Sequence, residues 1–126
     1  MRKIYTILMA VVALMFVGCN NATLLENNYL VLASEDVAGD AKWMAVAESL
    51  AAKHNATIVT FATAPADAMQ TLRAGNPRSV AILDKPENIG RDYVIDLLLM
   101  CRDVDEDIYA DFLWGIITGY DAAAAQ

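Results

Sequence analysis

Cysteine, histidine and positive charge are scarce in this chain of 126 residues. It has two cysteines and one histidine, and its nine lysine and arginine residues stand against sixteen aspartates and glutamates, for a net charge of −7 at pH 7. This acidic balance excludes nucleic acid and anionic headgroups as partners bound through charge, because both are themselves negative. Two cysteines also exclude a disulfide framework, so a hydrophobic core must hold the fold.

Glycine-rich loops and long apolar runs are missing as well. Segment 34–40, which follows the first predicted strand, lacks the repeated glycines that let a backbone approach a pyrophosphate, so a dinucleotide-type phosphate cradle is excluded. The N-terminal apolar run, Ile4–Val17, covers roughly 14 residues and stops short of the about 20 that a membrane-spanning helix needs. This length favours a cleaved leader over the alternative, a helix that stays in the bilayer.

The N-terminus has the order of a secretory leader. Arg2 and Lys3 precede the apolar run, and the small residue Gly18 closes it before Cys19. The tetrad Phe-Val-Gly-Cys that ends at Cys19 resembles the lipobox of bacterial lipoproteins, in which the cysteine thiol is acylated and the peptide is cut before it. The resemblance implies a signal peptide over 1–18 and a lipidated Cys19 that tethers the mature chain to a membrane without crossing it.

Cleavage before Cys19 would change the charge and the thiol content of the chain. The mature form loses Arg2 and Lys3, so its net charge becomes −9 in place of −7. Cys101 is then its one free thiol, and no internal disulfide is possible. Asn20 follows the cysteine in place of the aspartate that retains lipoproteins at the inner membrane in well-known systems. The resemblance therefore implies the bacterial cell envelope, with the outer membrane favoured over the inner one.

The mature sequence divides into a polar tether over 19–28 and one α/β domain over 29–126. Short apolar or β-branched runs predict buried strands, and helical spacing of apolar residues between them predicts helices. The predicted strands are 29–33, 56–61, 79–83 and 112–117, and the predicted helices are 40–55, 65–75 and 86–101. Right-handed crossovers then give a three-layer, open parallel sheet of about four strands in the order 2-1-3-4, Rossmann-like or flavodoxin-like, with helices on both faces.

The last predicted strand is followed by an unusually short segment. A helix that starts at Asp121 completes about one turn before Gln126, which is too short to be stable alone. We therefore expect the domain to be the first half of a longer one, and its uncovered apolar surface to mark a protein partner or the missing C-terminal half.

Three segments carry a family resemblance. They are Asn-Pro-Arg-Ser-Val-Ala-Ile-Leu-Asp-Lys-Pro-Glu-Asn-Ile over 76–89, Asp-Val-Asp-Glu-Asp-Ile-Tyr-Ala-Asp-Phe over 103–112 and Trp-Gly-Ile-Ile-Thr-Gly-Tyr over 114–120. Together they resemble the N-terminal subdomain of gingipain-like, caspase-like cysteine peptidases, over residues 29–121. The resemblance implies that the catalytic histidine and cysteine follow later strands, beyond residue 126, so that the chain itself is not catalytic.

The chain has few residues for a cysteine-histidine dyad of its own. Cys101 and His54 are the candidates, and catalysis needs them within hydrogen-bond reach, with the thiol in a partly open, electropositive setting. Cys101 instead follows an apolar helical run, which indicates a buried, inert thiol. His54 lies at a helix end, where a cation near the carboxyl terminus is a common stabilising device. We assign no catalytic residue.

An acidic segment is the candidate metal site. Asp103, Asp105 and Asp107 stand at positions 1, 3 and 5 of a calcium loop and Asp111 at position 9, but the glycine of position 6 and the glutamate of position 12 are absent, so this is not an EF-hand. A looser calcium site formed by these four aspartates is the alternative to a solvated acidic loop, which is the interpretation we favour. No other cofactor is predicted.

A second polar group follows the first and third predicted strands. Glu35 and Asp36 come after the first strand, and Asp84 and Lys85 come after the third. The carboxyl ends of parallel strands meet at one edge of the sheet, where open α/β folds bind ligands. Capping and loop roles explain the same residues equally well.

Three functions from different classes follow from the sequence. The first, which we favour, is a membrane-anchored bacterial lipoprotein with a non-catalytic α/β module of structural or interaction role. The second is an N-terminal fragment of a gingipain-like cysteine peptidase. The third is a calcium-stabilised surface domain.

Overall fold

The computed structural model describes residues 28–126, so the predicted signal peptide, Cys19 and most of the predicted tether lie outside the described residues. Its strands are β1 (Tyr29–Ser34), β2 (Thr57–Phe61), β3 (Ser79–Leu83) and β4 (Leu113–Ile117). They form one all-parallel sheet in the order β2-β1-β3-β4. With helices packed on both faces, this confirms the predicted α/β class and the predicted strand order 2-1-3-4.

The described residues also form five α-helices. They are α1 (Glu35–Ala38), α2 (Ala41–His54), α3 (Met69–Gly75), α4 (Arg91–Met100) and α5 (Ala122–Ala125). Two 3-10 turns, Pro65–Ala68 and Pro86–Asn88, precede α3 and α4. The sequence prediction missed α1 and began the third predicted helix too early, at Pro86. Proline does start a helical turn there, because its fixed φ suits that position, but the extended backbone of Gly90 separates this turn from α4.

Side-chain caps decide where the first helices begin. The Val37 amide donates to Ser34 Oγ at 3.3 Å, which starts α1 directly at the end of β1. The Lys42 amide donates to Asp40 Oδ1 at 3.0 Å and starts α2. Because α1 follows β1 without a loop, Asp36 is held at the carboxyl edge of the sheet.

Alternate residues of each strand point into two separate cores. Leu30 and Leu32 of β1 lie in the core under α3 and α4, which we call the α3 face. Val31 and Ala33 lie in the core under α1, α2 and α5, which we call the α2 face. Both central strands, β1 and β3, are therefore buried on two sides, which explains why their sequences are continuous apolar runs.

The short C-terminal helix α5 forms and packs against α2. The Ala124 amide donates to Asp121 Oδ1 at 2.9 Å, and Ala122 is buried in the core of the α2 face. A helix of four residues is too short to be stable alone, so its contact with α2 and its cap hold it.

Candidate functional site

A polar cleft lies at the carboxyl edge of the sheet, between the ends of β1 and β3. The strand order reverses at this point, because the connection from β1 leads to one side of the sheet and that from β3 to the other. Such a switch point is where open α/β sheets bind ligands. The cleft has a volume of about 380 Å³, and its polar lining is Ser34, Asp36, Thr63, Asp84, Asn88 and Tyr93.

Asp84 is the most buried polar group of this cleft, with 2% of its surface exposed. Its Oδ1 accepts hydrogen bonds from the Lys85 amide at 2.8 Å and from Asn88 Nδ2 at 2.9 Å. The same Asn88 nitrogen donates to Asp36 Oδ2 at 3.1 Å. Asn88 thus links the carboxylates that follow β1 and β3.

Tyr93 of α4 also lines this cleft, and its hydroxyl is buried. The hydroxyl oxygen makes no hydrogen bond of good geometry with the described residues. Burial raises the pKa of this hydroxyl far above its ordinary value, and the nearby negative charge of Asp84 raises the pKa further. The phenol is therefore neutral at every physiological pH.

Two of the four polar residues predicted at this edge belong to the cleft. Asp36 and Asp84 line it, whereas Glu35 is exposed on α1 and the Lys85 ammonium lies 3.5 Å from Asp40. Sequence reasoning missed Asn88 and Tyr93. Their positions after Asp84 predict a place in the cleft only if the 3-10 turn Pro86–Asn88 is already known. This turn folds Asn88 back onto the end of β3, where its amide contacts Asp84.

The acidic segment brings together three of its four candidate ligands. Carboxylate oxygens of Asp105, Asp107 and Asp111 all lie within 4.8 Å of one another. Asp103 points elsewhere and pairs with Arg73 at 3.6 Å. Partial burial raises the pKa of Asp111, and the negative charge of Asp105 raises it further. The three carboxylates therefore repel one another, which is the arrangement that a bound cation would relieve.

Cys101 and His54 do not meet. Cys101 is buried in the core of the α3 face, and its Sγ donates to the Leu98 carbonyl at 3.2 Å. The His54 ring stacks on Tyr29, with ring centres 4.3 Å apart, and Tyr29 packs against the core of the α2 face. The sheet separates the two side chains, so they form no nucleophile-base pair.

The two edge strands of the sheet differ in chemistry. Of the five residues of β2, Thr57 and Thr60 are exposed and polar. β4 has no charged, hydroxyl or amide side chain, and Leu113 is 70% exposed at its start. An apolar edge strand is a ready template for pairing with another chain.

Among residues 28–126, no helix combines the length and hydropathy that a bilayer crossing requires. Comparison with family models, curated proteins and solved structures finds no match for this chain. The gingipain-type resemblance thus rests on the quoted segments alone, and the function of the chain is inferred from its own residues.

Proposed function

We propose that this chain is a lipid-anchored protein of the bacterial cell envelope whose α/β domain is a non-catalytic interaction module. The observation that carries the interaction role is the uncovered apolar edge at β4. The leader sequence that ends at Cys19 supports the anchor. The separation of Cys101 from His54 supports the absence of a dyad among the described residues.

The uncovered surface continues from the edge of β4 onto one face of this strand. Trp114 and Ile116 of β4 pack into the core of the α3 face, so Leu113, Gly115 and Ile117 point to the α2 face. Gly115 is exposed, and the space where a side chain would stand there is open. Parallel sheets are normally covered on both faces. A strand added beside β4, with a segment that covers Leu113, would complete this sheet.

Photo-crosslinking in the cell envelope tests this role. We expect a photoreactive residue at Leu113 of the full chain to give one discrete adduct whose linked peptide belongs to another polypeptide. The matched control is the same residue at Thr60, exposed on the opposite edge strand, where no such adduct is expected. Equal labelling at both positions, or no adduct at Leu113, would contradict the proposal.

The same surface favours a second candidate, the first part of a gingipain-like cysteine peptidase. In that case the strand beside β4 belongs to the same polypeptide, and the catalytic histidine and cysteine follow residue 126. Sequencing the gene downstream of the codon for Gln126 distinguishes the two candidates. A histidine and a cysteine after further strand patterns support the peptidase, and a stop codon at that point contradicts it.

The cluster of Asp105, Asp107 and Asp111 favours a third candidate, a domain stabilised by calcium. We expect calcium at about 100 times its Kd to raise the free energy of unfolding by about 2.7 kcal/mol over the protein in chelator. D107N should abolish this shift, because it removes a ligand. D103N should keep it, because Asp103 pairs with Arg73 instead.

The pH dependence of the calcium effect follows from the raised pKa of Asp111. The folded state binds this proton more tightly than the unfolded state, so the stability gained from protonation is present at low pH and is lost as pH rises through the folded pKa. Calcium competes with that proton, and its stabilising effect should therefore disappear on acidification. Melting curves recorded in calcium and in chelator, from neutral to acidic pH, measure both effects. A melting temperature at neutral pH that is the same in calcium as in chelator would contradict the candidate.

A further inference from the structure

The outer side of helix α4 is apolar. Leu97 and Met100 are buried in the core beneath this helix, against the sheet. The other side carries Ile95, Leu98 and Leu99, all of them exposed, and 60% of Leu99 is in contact with solvent. A surface helix normally places polar and charged residues on its outer side, and a helix that is apolar on both sides is normally buried. The outer side of α4 therefore has the composition of a surface that a partner covers.

A groove of about 610 Å³ lies between α4 and the 3-10 turn that precedes α3. Pro65 and Met69 form one apolar wall, and Leu99 and Met100 of α4 form the other. Ile108, in the loop after α4, also lines the groove and is 70% exposed. Clefts of about 300 to 1,000 Å³ with a mostly apolar lining are the usual size of binding sites in proteins. The groove therefore offers an open apolar floor of the size that a few side chains of a partner would fill.

The rim of this groove is acidic. Among the described residues, its charged lining consists of three carboxylates and one guanidinium, from Asp96, Asp103, Asp107 and Arg102. Asp103 pairs with Arg73, whereas Asp96 and Asp107 belong to no ion pair within residues 28–126. Complementary charge around an apolar contact selects the partner and speeds its association. A partner that carries lysine or arginine on both sides of its apolar contacts would complement this rim.

We propose that this groove binds a basic amphipathic helix of a partner protein. Such a helix lays the apolar side chains of one face into a hydrophobic groove, and its cations then face Asp96 and Asp107. A membrane surface fits less well, because it is flat and the acidic rim repels anionic headgroups. A second copy also fits less well, because two chains of net charge −7 repel each other. No residue of β4 lines the groove, so this site goes beyond the interaction proposed for that strand.

Fluorescence anisotropy with a labelled synthetic helix tests the groove, using the purified full chain in chelator so that the acidic cluster holds no cation. The probe peptide has leucines along one helical face and lysines on both flanks, and its control has glutamate in place of every lysine. We expect saturable binding of the lysine peptide alone. D96N should weaken this binding by roughly two- to fivefold at low salt and by less at high salt, since salt screens exposed charges. E48Q, which removes an exposed carboxylate of α2, should bind like the wild type.

Two exposed leucines of α4 test the apolar floor. Leu99 lines the groove and Leu98 does not, and both substitutions leave the core intact because both side chains are exposed. L99A should weaken peptide binding by at least about tenfold, as loss of a central anchor does, whereas L98A should bind like the wild type.

Equal affinities for wild type, L98A and L99A, or no binding of the lysine peptide, would overturn the proposal. Self-association of the chain that L99A abolishes would also overturn it, because the occupant would then be a second copy. Flotation with phosphatidylcholine vesicles that L99A abolishes would assign the groove to a membrane instead. The crosslink at Leu113 tests the β4 surface separately, so the two proposals can fail independently.

Discussion

Replacing Leu97 by alanine is expected to lower the free energy of unfolding by about 2 to 5 kcal/mol. Leu97 is 1% exposed and lies on α4 in the core of the α3 face, among side chains of β1 and β3. Truncation removes three buried carbon atoms, and the close-packed surroundings cannot collapse fully into the space left behind. The expected loss is a large share of the roughly 5 to 15 kcal/mol that holds a typical domain together. Urea unfolding followed by tryptophan fluorescence, from buried Trp43 and half-buried Trp114, measures it.

The adjacent leucine provides the control. Leu98 is 49% exposed on the same helix, so L98A makes the same chemical change at a site that is half in water. Its cost should stay below about 1 kcal/mol, since surface substitutions away from special features have small effects. If L98A cost as much as L97A, the face of α4 that we place against the sheet would be wrong.

The second large effect is expected from C19A. In the proposed envelope lipoprotein, the acyl chains on Cys19 provide the attachment, and each buried methylene contributes about 0.8 kcal/mol. Without this thiol the chain has no acceptor for lipid, so incorporation of labelled fatty acid should fall to background. Labelling of the full chain in bacterial cells, followed by gel separation, measures this loss.

The other cysteine makes the control specific. Cys101 is a buried thiol that donates to the Leu98 carbonyl, so a lipid-transfer enzyme cannot reach it in the folded domain. C101A should therefore incorporate as much fatty acid as the wild type. Labelling that survives in C19A and disappears in C101A would place the modification at the wrong cysteine for an N-terminal anchor.

The sheet could be predicted because its two central strands have a distinctive apolar sequence pattern. Leu30 to Ala33 of β1 and Val80 to Leu83 of β3 are continuous apolar runs, and a composition of this kind at this length is typical of a strand covered on both faces. The order 2-1-3-4 then followed from crossover handedness. Helix α1 was missed because four residues carry no periodicity, and its start depends on one hydrogen bond to Ser34.

The cleft was predictable only in part. Asp36 and Asp84 come directly after strands, so the sheet alone brings them to one edge. Asn88 and Tyr93 reach the cleft through the 3-10 turn Pro86–Asn88 and the start of α4, whose geometry depends on the backbone of Gly90. Lys85 was expected among the polar residues at this edge, but its ammonium lies next to the cap residue Asp40 and does not line the cleft. A lysine side chain is long and flexible enough to reach charges on other elements of the fold, so its partner cannot be predicted from its neighbours in the sequence.

The intact mass of the membrane-extracted chain is the most direct test of the lipid-anchored module. We predict a protein that begins at Cys19, lacks residues 1–18 and carries the added mass of lipid on its first residue. A mass that includes the whole leader, or that fits an unmodified cysteine after a cut at another position, would contradict the lipid anchor.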